Sequence, residues 1–197
     1  SLKNCFLVFS LLALVTVSFS KDEDDNIVII EDPEAYENGI FVTNEGPFGN
    51  GTGTVTYISS DLETVEQEIY QKVNGGELGN IVNGMGFSAD NAYIVANNSN
   101  RVTVVNRNNF ERKATFTSGL ENPRHFVSTE SGLGYVSNWG DPMDEEDDYI
   151  AVVDLSSNTI TSTIPVTFGP EKMLVHDNKI FVAHQGGYGY HHVVSVI

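Results

Sequence analysis

The chain has little cysteine and little positive charge. Cys5 is its single cysteine, so the chain can form no internal disulfide and offers no pair of thiols for redox chemistry. Ten lysines and arginines stand against 27 aspartates and glutamates, which gives a formal net charge of −17. Such a charge repels polyanions and anionic lipid surfaces. The composition therefore argues against nucleic acid as a partner and against membrane binding through basic residues.

Helical periodicity is also nearly absent. From Gly39 onward, short β-branched and aromatic runs alternate with clusters of Gly, Asn, Asp and Ser, without a convincing apolar period of 3.6 residues. Residues 63–72 are compatible with a helix, but their position after a strand and a turn favours another strand. The sequence therefore predicts an all-β fold.

Common catalytic signatures are missing as well. The chain has no Gly-x-Ser-x-Gly elbow, no phosphate-binding Gly-Lys-Ser/Thr loop and no His-Glu-x-x-His pair. The acidic runs 22–25 and 141–148 are expected to be a solvated tail and a solvated loop, and the second lacks the spacing of an EF-hand. His125 is expected to be a satisfied core histidine. We therefore expect no enzymatic activity and no cofactor.

The first 20 residues have the pattern of an export signal. Lys3 precedes the apolar stretch 6–17, and small residues follow it. This stretch is shorter than the roughly 20 residues that span a bilayer. Residues 1–20 are therefore predicted to be a signal peptide and residues 21–38 an acidic flexible tether.

A short strand recurs four times along the remainder. Its copies are Ile-Phe-Val-Thr-Asn at 40–44, Tyr-Ile-Val-Ala-Asn at 93–97, Gly-Tyr-Val-Ser-Asn at 134–138 and Ile-Phe-Val-Ala-His at 180–184. A second strand follows each copy after a variable loop, and these second strands begin at Val55, Val102, Ile150 and Val193. A spacing of about 40 to 50 residues suits four-stranded propeller blades.

The third unit carries further motifs. Strands are predicted at 135–138, 150–158, 159–166 with Ile-Pro-Val, and 169–175 after Gly-Pro, with a turn at 177–178. This unit resembles the YVTN repeat, and the first unit, 39–46, is similar to YncE-like surface lipoproteins. The resemblance implies a β-propeller of four-stranded antiparallel blades over 39–197. About three and a half blades are expected, as part of a larger, seven-bladed ring.

The resemblance also bears on location. An apolar stretch followed by the acidic run 21–25 resembles the start of Gram-negative outer-membrane lipoproteins. The cysteine that such proteins carry before Lys21 is absent, and Cys5 lies on the other side of the apolar stretch. Lipidation is left open, and either the cell surface at the outer membrane or the periplasm is expected.

The variable loops indicate where function lies. The loops between the repeated strands and the strands that follow them are 45–54, 98–101, 139–148 and 185–191. In a blade of the propeller family these are the loops between the second and third strands, and they share a face with the segments that join blades; loops commonly carry function. The predicted ligand-binding residues on this face are Glu45, Phe48, Asn98, Arg124, Trp139, Lys172, Tyr188 and Tyr190. Aromatic rings with scattered polar groups suit recognition. The alternative is that these loops only pack over the propeller rim.

Three histidines near the C-terminus offer a weaker signal for a metal. His191 and His192 would point to opposite faces of a strand, so at most one could join His184 in a site. They are interpreted as ordinary polar histidines, and no metal site is predicted.

These patterns together indicate a non-catalytic, exported binding protein. The resemblance implies capture of a small nutrient, such as a corrinoid, a ferric siderophore or haem, for a TonB-dependent transporter. One alternative is a propeller enzyme, a lyase or a quinoprotein-like oxidoreductase, for which Arg124, His125 and Lys172 would have to meet at the channel mouth. Another is an adhesion or protein-interaction scaffold with a broad flat patch.

Overall fold

A computed structural model describes residues 35–197. The strands are Ile40–Asn44 (β1), Thr54–Ile58 (β2), Val65–Glu66 (β3), Val82–Ser88 (β4), Asn91–Ala96 (β5), Arg101–Asn106 (β6), Arg112–Phe116 (β7), Pro123–Ser128 (β8), Leu133–Asn138 (β9), Tyr149–Asp154 (β10), Thr159–Pro165 (β11), Pro170–His176 (β12), Lys179–His184 (β13) and Val194–Val196 (β14). The helix α1 spans Ile69–Asn74, and a 3-10 turn spans Asn97–Ser99.

The strands form antiparallel sheets in strict chain order. The sheets are β1-β2-β3, β4-β5-β6-β7, β8-β9-β10-β11 and β12-β13-β14. The first strands of successive sheets, β4, β8 and β12, lie side by side as inner strands, and each sheet runs outward from them. These sheets are blades of a β-propeller, which confirms the predicted fold class.

Stacking of the sheets produces the core. Tyr57, Ile94 and Phe110 pack between the first two sheets, and a second cluster with Tyr93 and Phe126 lies between the second and third. The rings of Tyr93 and Phe126 stack with centroids 4.2 Å apart. The middle strands of the second and third sheets are thus buried or half-buried on both faces, because a single four-stranded sheet cannot bury its own surfaces.

The repeated strands are found where the sequence places them. The four copies correspond to β1, β5, β9 and β13, and the second strands that follow correspond to β2, β6, β10 and β14. The grouping of the third unit was wrong in one respect. The predicted strand 169–175, observed as β12, pairs with β13 in the fourth sheet and not with β11. The last strand of the predicted repeat unit is therefore the first strand of the next blade.

The segment 63–72 was also predicted wrongly as a strand. It holds only the two-residue strand β3 before α1 begins at Ile69. Ile69 and Tyr70 are almost fully buried, and Val73, one turn further, packs against the same core cluster. Gly75 ends the helix in a left-handed conformation, with φ of 65° and a bond from its N–H to the Gln71 carbonyl. The sequence of this segment is compatible with a helix or a strand, and burial of one helical face favours the helix.

Packing begins before Gly39. Tyr36 is buried, and its ring contacts Tyr57 and Phe110 at centroid distances of 5.2 and 5.9 Å. The predicted signal peptide, 1–20, and the greater part of the predicted tether, 21–38, lie outside the described residues. In the described part of the chain, 35–197, no helix is long and apolar enough to cross a membrane.

Candidate ligand-binding site

A cavity of about 360 Å³ lies on the face that carries the variable loops, called here the loop face. Its lining residues are Glu45, Phe48, Ile81, Asn83, Asn97, Asn122, Arg124, Trp139, Gln185, Gly187 and Tyr188. Five of the eight predicted site residues are among them. The volume lies within the range of small-molecule sites.

The repeat explains how residues distant in sequence converge here. Glu45, Trp139 and Gln185 each directly follow a copy of the repeated strand, and Asn97 is the last residue of the copy in the second sheet. Equivalent positions in stacked blades point toward the same end of the fold. The end of the repeated strand therefore supplies a lining residue in every sheet.

The inner strands supply a second set of equivalent positions. Val82, Pro123 and Pro170 pair with the last residues of β5, β9 and β13 respectively. The next residue in each strand is Asn83, Arg124 or Glu171, and a register shift lies at this point in all three sheets. Asn83 and Glu171 both bond to Arg124 across the blades, and we call these three side chains the inter-blade latch.

The latch is centred on Arg124. Its Nε donates to Glu171 Oε2 at 2.8 Å and its Nη2 to Oε1 at 3.2 Å. With the Asn83 amide oxygen facing the guanidinium, that oxygen accepts from Nη2 at 2.9 Å and from Nη1 at 3.1 Å. The Arg124 and Glu171 side chains are only 16% and 15% exposed. The latch is therefore a bidentate, largely buried ion pair that joins three sheets.

His125 also contacts Glu171, with Nε2 3.2 Å from Oε1. Adjacent residues of a regular strand point to opposite faces, but the shift between Pro123 and Phe126 breaks the alternation of β8. Arg124 and His125 can therefore both reach the same carboxylate. His125, expected to be a satisfied core histidine, is half-buried and hydrogen-bonded.

Glu171 is ionised despite its burial. Burial opposes the charged form, but hydrogen bonds from His125 and Arg124 and the guanidinium charge outweigh it, so the pKa of Glu171 is lowered. The carboxylate therefore balances the charge of Arg124 at neutral pH. Glu171 was not among the predicted site residues, although aligning the inner strands on Pro123 and Pro170 would have singled it out.

Trp139 forms the floor of the cavity rather than an open platform. It is 5% exposed, its Nε1 donates to the Pro170 carbonyl at 3.0 Å, and Arg124 Cζ lies 4.0 Å from its ring centroid. The Tyr188 ring meets it edge-on at 6.3 Å. Tyr188 and Phe48 are themselves 71% and 78% exposed. The accessible aromatic surface therefore belongs to these two side chains.

Asn80 positions the loop that carries Phe48. Its buried amide donates to the carbonyls of Pro47 and Gly51 at 2.6 and 3.1 Å, and its oxygen accepts from the Gly49 N–H. Asn98 donates to that same oxygen at 2.8 Å. Asn98 is outside the cavity lining and contacts the residue that positions this loop.

The other two predicted residues lie elsewhere. Lys172 lines a separate cavity of about 450 Å³ along the inner strands, together with His125 and Asn83. Tyr190 is 85% exposed and contacts the His192 ring at 5.9 Å, away from the cavity lining. Arg124, His125 and Lys172 do not therefore converge on one cavity.

The acidic loop is solvated except at its end. Asp141 and Asp144 accept hydrogen bonds from backbone N–H groups within the loop and are exposed. Asp148, expected in the solvated loop, is instead 1% exposed: Oδ1 accepts from the Gly169 N–H at 2.9 Å, and Oδ2 has no hydrogen-bond partner. Burial, together with Asp147 and Asp144, raises the pKa of Asp148 to about 7.

His184 and His191 are engaged in hydrogen bonds. His184 is buried, with Nδ1 3.2 Å from the Phe168 carbonyl and Nε2 2.9 Å from Ser195 Oγ. Burial lowers the pKa of His184. His191 Nε2 lies 3.2 Å from Thr167 Oγ1. Within residues 35–197, no group of three or more His, Cys, Asp or Glu side chains is placed to hold a metal ion.

Comparison with known proteins adds a family and the fold. The family model described as "Domain of unknown function (DUF5074)" matches residues 38–196. No curated protein matches the chain. Neither result identifies the YVTN or YncE-like family, which stays an interpretation of the repeats.

Several solved structures are similar at low sequence identity. The nidogen/laminin complex matches with a TM-score of 0.60 and 14% identity over 83% of this chain and 57% of that chain. Dihydro-heme d1 dehydrogenase NirN in complex with DHE matches with a TM-score of 0.53 and 19% identity, over 77% of this chain and 30% of that chain. BamB from Moraxella catarrhalis matches with a TM-score of 0.50 and 12% identity, over 72% of this chain and 36% of that chain. This chain spans at most 57% of these chains, and the likeness shows the propeller fold alone.

Proposed function

The chain belongs to the DUF5074 family, and we propose that it is a non-catalytic protein that binds a small molecule in the cavity on its loop face. The supporting observation is the convergence of four successive sheets: each contributes a lining residue at the end of its repeated strand. Amide, carboxylate and aromatic side chains surround a cavity of about 360 Å³ there. A preformed, mixed polar and aromatic cavity is typical of ligand capture.

Catalysis is a weaker candidate. Arg124 and His125 meet at Glu171, but that carboxylate already engages both side chains. The nearby Ser137 hydroxyl is buried, donates to the Glu171 carbonyl at 2.7 Å and accepts from the His125 N–H. Because this hydroxyl already donates and accepts a hydrogen bond, Ser137 is not free to act as a nucleophile next to a base.

We further propose that the protein is exported and acts at the cell surface or in the periplasm. The apolar stretch 6–17 followed by the acidic run 22–25 supports export. The ligand classes to try first are corrinoids, ferric siderophores and haem, with delivery to a TonB-dependent transporter, as the repeat resemblance suggests. Protein adhesion is the competing role, and it requires no cavity ligand.

A fluorescence titration of the full chain tests capture. Trp139 is the single tryptophan and lies in the cavity floor, so its emission reports on that site. A ligand that binds there should change the emission saturably and raise the melting temperature. Tyr188→Ala should weaken binding about tenfold, since an accessible aromatic contact is lost.

Tyr190→Ala is the matched control, because this tyrosine lies in the same loop but outside the cavity lining. It should leave the affinity unchanged. Equal losses in the two variants would place the ligand elsewhere. If no ligand class gives a response, small-molecule capture is wrong and pull-down of outer-membrane partners becomes the test of adhesion.

A further inference from the structure

The inter-blade latch also bears on the charge of the ligand. We propose that Glu171 is a specificity-determining residue: by neutralising Arg124 it makes the cavity select an uncharged ligand rich in amide or hydroxyl groups over an anionic one. This inference rests on the proposed function, because it concerns the same cavity.

Arg124 is the only lysine or arginine among the lining residues of this cavity. A guanidinium has five N–H donors. Nε and Nη2 donate to the two oxygens of Glu171, and Nη2 and Nη1 both donate to Asn83. Most of the fork that would otherwise grip a carboxylate or phosphate is thus already occupied. The guanidinium therefore holds Glu171 and Asn83 in place and has few N–H donors left for an anionic ligand.

The remaining polar lining suits neutral groups. Asn97, Asn122 and Gln185 line the cavity with amides. Two of these amides already donate one N–H to a backbone carbonyl, and each still has a second N–H and an oxygen for a ligand. Glu45 adds a carboxylate at the same cavity, and the chain as a whole carries −17 charges. Both repel an anionic ligand. Amide and hydroxyl groups can satisfy these side chains without that cost.

The aromatic lining adds a preference for a ring or another flat apolar face. The Trp139 ring is covered by Arg124, but Phe48 and Tyr188 are exposed at the cavity. Such rings bind flat apolar surfaces. The expected ligand therefore combines a flat face with uncharged polar groups, as acetylated sugars and amide-decorated macrocycles do.

Matched pairs of probes test the selection on the unaltered chain. One pair is N,N′-diacetylchitobiose and a disaccharide that contains a glucuronate; the other is cyanocobalamin and its monocarboxylate, in which one peripheral amide is hydrolysed. By calorimetry, the neutral member of whichever pair binds should bind at least about tenfold more tightly. The pair that responds distinguishes a sugar from a macrocycle. Equal or tighter binding of the carboxylate would overturn the inference.

A second experiment removes the neutralising group. Glu171→Gln should leave Arg124 with an uncompensated charge, and inorganic phosphate at constant ionic strength should then quench or shift Trp139 emission saturably. The unaltered chain and Glu130→Gln should show no saturable response. Glu130 is a suitable control because it is exposed on the turn between β8 and β9, and the substitution makes the same change in charge.

The two experiments separate the two claims. If no member of either pair binds, the proposed capture fails for these probes, and the phosphate titration still decides whether Glu171 sets the charge preference of the cavity. If phosphate binds the unaltered chain as tightly as the variant, Glu171 does not neutralise the site and the inference is wrong. Should Glu171→Gln unfold, the probe pairs decide alone.

Discussion

Two buried carboxylates of this protein are held in opposite ways. Glu171, on an inner strand, receives hydrogen bonds from Arg124 and His125, and its pKa is lowered. Asp148, at the end of the acidic loop, receives one bond from Gly169 and leaves an oxygen unpaired, and its pKa is raised to about 7. Burial acts against the charge of both side chains. The partners that each carboxylate meets, rather than its depth, therefore decide whether it is charged.

This difference has opposite consequences for stability. A lowered pKa means that Glu171 stabilises the fold above its ordinary pKa, and this contribution is lost as pH falls. A raised pKa means that the fold is favoured while Asp148 is protonated, and stability is lost as pH rises from about 4 to about 7. The two sites should therefore be separable by a pH series.

The largest effect is expected from Arg124→Met. This variant leaves Glu171 buried without its cationic partner and should reduce the free energy of unfolding by about 3 kcal/mol at pH 7. Urea denaturation measures the loss. The difference in stability from the unaltered chain should narrow as pH falls through the lowered pKa of Glu171, because the carboxyl group is then protonated in both proteins.

Lys172→Met serves as the control for that variant, because Lys172 follows Glu171 directly but is exposed. It should change stability by less than about 0.5 kcal/mol. A loss as large as that of Arg124→Met would mean that the effect comes from net charge and not from the latch.

Asp148→Asn should remove the loss of stability that Asp148 causes as pH rises, which is opposite in sign to the effect of Glu171. The amide stays neutral and can still accept from the Gly169 N–H through its oxygen. The variant should therefore be more stable than the unaltered chain at pH 8, by about 2 kcal/mol, and its stability should vary less between pH 4 and 7. Urea midpoints across this range measure it. Parallel pH profiles for the two proteins would show that Asp148 ionises normally.

His125→Ala should have a smaller effect on the Glu171 site. It removes one hydrogen bond but leaves both bonds from Arg124, so about 1 kcal/mol of stability should be lost at pH 7. The pKa of Glu171, followed by carbon NMR of its carboxyl group, should rise and still stay below that of Asp148. An unchanged Glu171 pKa would assign the neutralisation to Arg124 alone.

The smallest effect is expected from Asp144→Asn. Asp144 is exposed, and its negative charge contributes less than burial to the raised pKa of Asp148. Its removal should lower the pKa of Asp148 slightly and raise stability at pH 7 by less than about 0.5 kcal/mol. The pKa shift should disappear at high salt, since exposed charges are screened. A salt-independent shift would instead indicate a change in loop structure.

Much of the candidate site could be anticipated from the repeats. Glu45, Phe48, Trp139 and Tyr188 lie in variable loops after the repeated strand, and the same feature brings them to one cavity. Tyr190 shares a loop with Tyr188 but is not part of the cavity lining. The sequence could not separate the two, because loop conformation has no short-range pattern comparable to that of a strand. Loop membership therefore predicts the face of the fold but not the lining of the cavity.

The sequence by itself determined the repeated strands, the strand that follows each of them and the variable loops between the two. It could do so because β-branched alternation and turn residues act over a few residues, and because a repeat applies one local solution several times. Only the tertiary structure decided that 69–74 is helical, that Glu171 holds Arg124 and that Asp148 is buried. Each of these depends on contacts between segments far apart in the chain, and their burial and electrostatics exist only once the sheets are stacked.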